Sequence, residues 1–218
     1  QVEHRAEQSF AIKGTLVFTA QRDQFTIMED AYLVCKGKKI AGAYDTLPDQ
    51  YRQIDVLDMG GKFVIPGTCD IHVHASQASF QGIGQNIENG QWNTWFDRYA
   101  FPDESRFNDV TYAEQAYTNF ARSLLATPTT RLCAYATTSR TATEILMKVL
   151  AKYGFAGYVG KVNMDRNSSP GLLETTQETI TQTRLWLEET KNGIGGIYPR
   201  LTPRYFPSCT ESFLQQLG

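Results

Sequence analysis

Only three histidines occur among the 218 residues, and two of them fall in Asp70-Ile71-His72-Val73-His74. Side chains alternate along a strand, so His72 and His74 project from one face, about 7 Å apart along the backbone. At the C-terminal end of an apolar strand, two such imidazoles can converge on one metal ion. The other reading is a chance alternation of two solvent-facing histidines. A catalytic zinc takes three protein ligands and an open position, so the pair is an incomplete set. His4, the third histidine, sits in a polar N-terminal stretch and is not expected to complete it.

Other chemistry finds less support. Gly82-Ile83-Gly84 and Gly193-Ile194-Gly195-Gly196 do not lead from a strand into a helix as a phosphate-cradling loop must. Asp165 and Glu188-Glu189 form no paired-carboxylate constellation, and Cys133 lies in an apolar run as a core thiol. Cys35, Cys69, Cys133 and Cys209 are far apart with no C-x-x-C pair, which suits reduced thiols in a cytoplasmic protein better than a disulfide framework. Twenty-one basic residues against 23 acidic ones leave no basic surplus for nucleic acid. No apolar run approaches the roughly 18 residues of a membrane helix, and no secretion signal is expected. The chain opens on Gln1, so its ends are not expected to be natural ends.

The histidine pair needs a strand to carry it, and the chain supplies two kinds of region. Residues 1–63 read as a small β domain. Phe10 to Thr19 and Ala31 to Val34 are β-prone, Lys36-Gly37-Lys38-Lys39 suits a tight hairpin, and Asp58-Met59-Gly60-Gly61-Lys62 suits a second turn. Residues 64–218 alternate strand and helix. Strands are expected from Phe63 through to His74, at Arg131–Ala136, at Ala156–Met164 and at Ile197–Thr202. Helices are expected to open at capping boxes: Thr111 with Glu114, Thr141 with Glu144, Thr175 with Glu178, and Ser208 with Glu211. The third should carry Ile180, Arg184 and Leu187 on one face, and Gly154 should close the second. About four βα units in this length predict an α/β fold. It is either a small open sheet or the first half of a (β/α)8 barrel, whose eight units take about 250 residues.

The segment Ile65-Pro66-Gly67-Thr68-Cys69-Asp70-Ile71-His72-Val73-His74 resembles the first-strand signature of the amidohydrolase superfamily of metal-dependent barrel hydrolases. With it stand His74-Ala75-Ser76-Gln77, Trp95 to Pro102, Val159 to Asp165, and Thr202-Pro203-Arg204-Tyr205 with Ser208-Cys209. Taken together, these resemble the guanine deaminase family over nearly the whole chain. H-x-H alone is shared by many hydrolases, whereas the set is specific.

The resemblance implies a TIM-type barrel, of which this chain is the first half, preceded by a small β-sandwich-like domain. It implies hydrolysis of guanine to xanthine and ammonia by a zinc enzyme, and a homodimer. By matching position, His72 and His74 become zinc ligands. Gln77 and Trp95 help hold the purine, and Arg204 and Tyr205 meet its oxygen and ring face. From the residues alone, Trp95 could be core, Gln77 a loop amide and Arg204 a surface charge. The family's later histidines and its acid–base glutamate and aspartate have no counterpart here. Thr127-Pro128-Thr129-Thr130 replaces the family's Asn-Gly-Thr-Thr, Ala78 replaces a tyrosine, and Gly90 to Thr94 is more polar than the leucine-rich stretch usual there. A rival reading is a non-catalytic half barrel, an assembly or partner-binding module whose open edges and bare strand face favour association.

Overall fold

The structure, a computed structural model, describes residues 9–84, 86 and 91–218. His4, with the N-terminal stretch around it, and Gly90 lie outside the described residues. The chain divides into two compact units, one ending at Pro66 and the other running from Gly67 to Gly218.

The first unit is one four-stranded sheet in the order β3-β2-β1-β4, formed by β1 (Ser9–Gln21), β2 (Gln24–Lys36), β3 (Lys39–Tyr44) and β4 (Asp55–Val64). Lys36 pairs with Lys39 across a turn in which Gly37 takes a positive φ of 58°. The Asp58–Lys62 segment differs from expectation, for it is a bulge within β4 and does not reverse the chain. Parallel pairing to β1 runs through Lys13 with Asp58 and resumes at Thr15 with Phe63. Gly60 and Gly61 absorb the excursion at positive φ values of 48° and 70°, which side chains resist. The Asp58 carboxylate accepts the Gly60 N–H at 2.9 Å. Ala11, Leu16, Ala31 and Val34 are buried in this unit.

The second unit is parallel α/β. Strands β5 (Thr68–His74), β6 (Thr129–Tyr135), β7 (Ala156–Gly160) and β9 (Ile197–Pro199) form an all-parallel sheet in the order β5-β6-β7-β9. A short parallel ladder joins β8 (Val162–Asn163) to β10 (Thr202–Pro203). The expected strand from Phe63 to His74 is broken at Ile65-Pro66-Gly67, so β4 and β5 belong to different units. Strand order follows chain order. Right-handed crossovers therefore all turn the same way and deliver their helices to one face, as in a barrel and unlike a doubly wound sheet.

Those helices are α1 (Val110–Leu124), α2 (Arg140–Lys152), α3 (Thr176–Thr190) and α4 (Glu211–Leu217). Leu132, Ala134, Val159 and Ile197 from the strands meet Tyr117, Phe120, Leu146, Leu150 and Trp186 from the helices in one core. On the other face, Tyr158 and Tyr198 are each about half exposed.

Helix starts shift where a better acceptor stands nearby. Asp109, not Thr111, caps α1, accepting from Thr111 N and Tyr112 N at 2.8 and 3.2 Å. Ser139, not Thr141, caps α2, and Thr210, not Ser208, caps α4. Ser208 instead donates its hydroxyl to the Tyr205 carbonyl. Thr175 and Glu178 form the expected capping box of α3, and Gly154 follows α2 at φ 84°. The buried face of α3 differs: Arg184 is exposed, and Thr179, Ile180, Thr183, Trp186 and Thr190 point inward. Two of those threonines are tolerated there because Asn163 Nδ2 donates to the Thr179 and Thr183 hydroxyls at 2.8 and 2.7 Å.

Candidate active site

The candidate residues collect at the C-terminal ends of the strands and in the long connection after β5. His72 and His74 close β5, their ring centroids 5.2 Å apart. Tyr135, at the end of β6, lies 4.7 Å from both rings and stacks on His74 at an interplanar angle of 29°. His74 and Tyr135 are partners in the parallel register, so strand pairing itself sets this contact. Asp70 Oδ1 accepts the His72 N–H at 3.1 Å.

Burial first, then the positive charge of Arg204 and the neighbouring His72, pull the His74 pKa down to about 3. The imidazole is neutral at physiological pH, the form that ligates metals. His74 Nδ1 is buried with no hydrogen-bond partner. A cation would satisfy such an orphaned atom, so the pair fits a metal centre as two of its ligands. Among the described residues, no group of three or more His, Cys, Asp or Glu side chains could hold a metal ion.

A second cluster surrounds a carboxylate that sequence reasoning missed. Glu104 is fully buried in the helical turn Phe101–Ser105. Its Oε2 accepts from Arg204 Nη1 at 2.5 Å, and its Oε1 accepts from Arg204 Nη2 at 2.8 Å and from Gln77 Nε2 at 2.9 Å. Arg204 is 9% exposed, so the surface-charge alternative does not apply. Its guanidinium lies over the rings of Phe96 and Phe101 at 5.4 and 5.3 Å. Gln77 reaches the carboxylate from the turn Ala75–Phe80, directly after β5.

Tyr205 stacks on Phe96 at 5.6 Å and 29°. With Phe96, Phe101, Asn93 and Asn167 it lines a cavity of about 410 Å³, within the roughly 300–1,000 Å³ of small-molecule sites. Trp95 is buried behind this wall. Its ring packs on Phe80 and Phe96, and its Nε1–H donates to the Ile83 carbonyl at 3.0 Å. The structure thus joins Gln77 and Arg204 through Glu104, joins Tyr205 and Arg204 through Phe96, and sets Trp95 one layer back.

Asp165 serves the scaffold. Its carboxylate accepts from Thr176 Oγ1, Thr210 Oγ1 and Thr210 N, at the first turns of α3 and α4. Cys133 Sγ accepts from Arg200 Nη1 at 3.3 Å and is buried.

Residues 63–218 match the amidohydrolase family. This chain belongs to that family. It is 38% identical to the guanine deaminase of Dictyostelium discoideum over 167 residues, covering 76% of this chain and 36% of that protein. It is 36% identical to the human guanine deaminase over 209 residues, covering 95% and 44%. A crystal structure of guanine deaminase from C. acetobutylicum with guanine in its active site superposes with a TM-score of 0.88 at 36% identity, covering 96% of this chain and 49% of that one. The chain therefore spans less than half the length of these relatives.

Proposed function

We propose that this chain is the N-terminal part of a zinc-dependent guanine deaminase, which hydrolyses guanine to xanthine and ammonia. The observation that carries the reading is the Gln77–Glu104–Arg204 cluster set beside a neutral His74, in a chain 36% identical to a guanine-bound neighbour. His72 and His74 are two ligands of the metal, which when bound supplies Lewis acidity and an activated water. Arg204, anchored from behind, presents its remaining N–H groups to the purine oxygen, and Gln77 presents its amide to the purine edge. Tyr205 lies on the ring face, and Trp95 acts by packing Phe96, the ring that both Arg204 and Tyr205 use. The remaining ligands and the acid–base carboxylates come from the part of the protein beyond this chain.

The same reading closes the four-stranded sheet into a (β/α)8 barrel and completes the β domain as a sandwich. The half-exposed Tyr158 and Tyr198 would then face the barrel interior. The four unpaired thiols support a reducing, cytoplasmic setting, and the homodimer rests on the resemblance alone. Among the described residues no helix is long and apolar enough to cross a membrane.

The rival half-barrel module draws on the same bare face. One experiment separates them: the ultraviolet absorbance of guanine is followed with the full-length protein and with the 218-residue chain. The proposal expects turnover by the first and little or none by the second, since loss of an acid–base group alone removes roughly 10²–10⁴-fold. A full-length protein that binds zinc and leaves guanine untouched would overturn it.

A further inference from the structure

We propose that Glu104 is the positioning residue of the purine site: it sets the orientation of both Arg204 and Gln77, and acts on the substrate only through them. This rests on the guanine reading above. The connection after β5 supplies Gln77 and Glu104, and β10 leads into Arg204, one hundred residues beyond Glu104. One fully buried carboxylate bridges the two segments.

The geometry dictates what each reader has left to offer. Arg204 uses its two terminal nitrogens on the two oxygens of Glu104. An arginine carries five N–H donors in a rigid plane. The end of the fork is therefore spent, and recognition falls to its side edge, which includes Nε–H. The rings of Phe96 and Phe101 hold that plane at 5.4 and 5.3 Å. Gln77 donates Nε2 to Glu104, which fixes the amide. Its carbonyl oxygen is turned away from the carboxylate and is free to accept from an N–H of the purine. A carboxylate accepts only, so a flipped amide would set two acceptors against each other. Glu104 thus specifies a donor edge from Arg204 and an acceptor from Gln77, the complement of a base that carries a carbonyl oxygen and a ring N–H.

The test is a double-mutant cycle in the full-length protein, pairing Glu104→Gln with Arg204→Lys. Guanine kinetics, zinc content and melting temperature are read on every variant. Glu104→Gln should lower kcat/KM by about 10- to 100-fold, chiefly through KM, with zinc retained. In the Arg204→Lys background the same change should cost clearly less, about 3- to 10-fold, because of the two groups it positions only Gln77 is left. Independent, multiplying effects would overturn the proposal and leave Glu104 a structural residue. Should Glu104→Gln not fold, Glu104→Asp keeps the charge but is too short to hold both partners. Wild-type kinetics in a folded Glu104→Asp, or failure of that variant to fold as well, would equally overturn it. A wild-type protein inert toward guanine would remove the guanine reading itself, and this inference with it. A normal wild type with an unaffected Glu104→Gln would sink this inference alone.

Discussion

His74 and Tyr135 lie face to face at the ends of adjacent parallel strands, 4.7 Å apart and 29° from coplanar. The same tyrosine ring sits 4.7 Å from His72, so one aromatic side chain contacts both candidate ligands. An aromatic pair contributes about 0.5–1.5 kcal/mol beyond its area. Tyr135→Ala should therefore weaken zinc binding by about 2- to 10-fold, and Tyr135→Phe should leave it unchanged. Zinc titration in competition with a chromophoric chelator measures both. Equal loss in the two variants would place the effect on the hydroxyl and not on the ring.

Removing the histidines makes a stronger demand. The full-length wild type should hold stoichiometric zinc, and His72→Ala with His74→Ala should lose most of it, since two ligands leave together. Elemental analysis of gel-filtered protein decides. Undiminished zinc in the double variant would end the metal assignment for this strand face.

Much of this arrangement is legible in the sequence, and the exceptions have physical causes. The period-two spacing of His72 and His74 can be read directly, because a strand enforces it. Helix starts are legible only to within a turn or so, since Asp109 and Thr111, or Ser139 and Thr141, offer competing caps and only geometry shows which oxygen reaches the free N–H groups. Glu104 is invisible for a different reason. In Pro102-Asp103-Glu104 it looks like an ordinary acidic first turn, and its burial exists only because Arg204 arrives from one hundred residues away. The sole hint is that a buried arginine needs a counter-charge. Trp95 shows the reverse limit: its aromatic neighbourhood is legible, but the bond to the Ile83 carbonyl that occupies its N–H is not.

Asp165 ties two helix starts together and should make stability pH-dependent. Burial works to raise its pKa, but hydrogen bonds from Thr210 and Thr176 outweigh it and hold the carboxyl below the usual 3.8. A group whose folded pKa is depressed contributes stability that is fully present above its unfolded pKa, and lost as pH falls through the folded one. Asp165→Asn should thus destabilise the protein by about 1–2 kcal/mol at pH 7, the size of a lost cap. The gap to wild type should narrow only below about pH 4. Urea unfolding at pH 7, 5 and 3.5 tests this. A gap that is already closed at pH 5 would show that the charge of Asp165 is not what holds α3 and α4.

Arg204→Lys should damage guanine use while leaving zinc in place. Arginine is no zinc ligand, so metal content has no reason to change. The cost arises on two sides of the guanidinium. Toward Glu104, a lysine ammonium gives up the planar two-point pairing and leaves one carboxylate oxygen with Gln77 as its only partner. Toward the substrate, it offers one mobile charge where a planar side edge had packed against the stacked pair of Phe96 and Phe101. Losing a good polar contact in a buried site costs about 1–3 kcal/mol, or roughly 5- to 150-fold in kcat/KM. The positive charge survives, so the fold should tolerate the change better than Arg204→Ala, which would strand Glu104 as a buried unpaired charge. Steady-state guanine kinetics, zinc analysis and a melting curve on one preparation test all three points. Unchanged kinetics with a lowered melting temperature would make the pair with Glu104 a structural clamp and remove Arg204 from purine recognition.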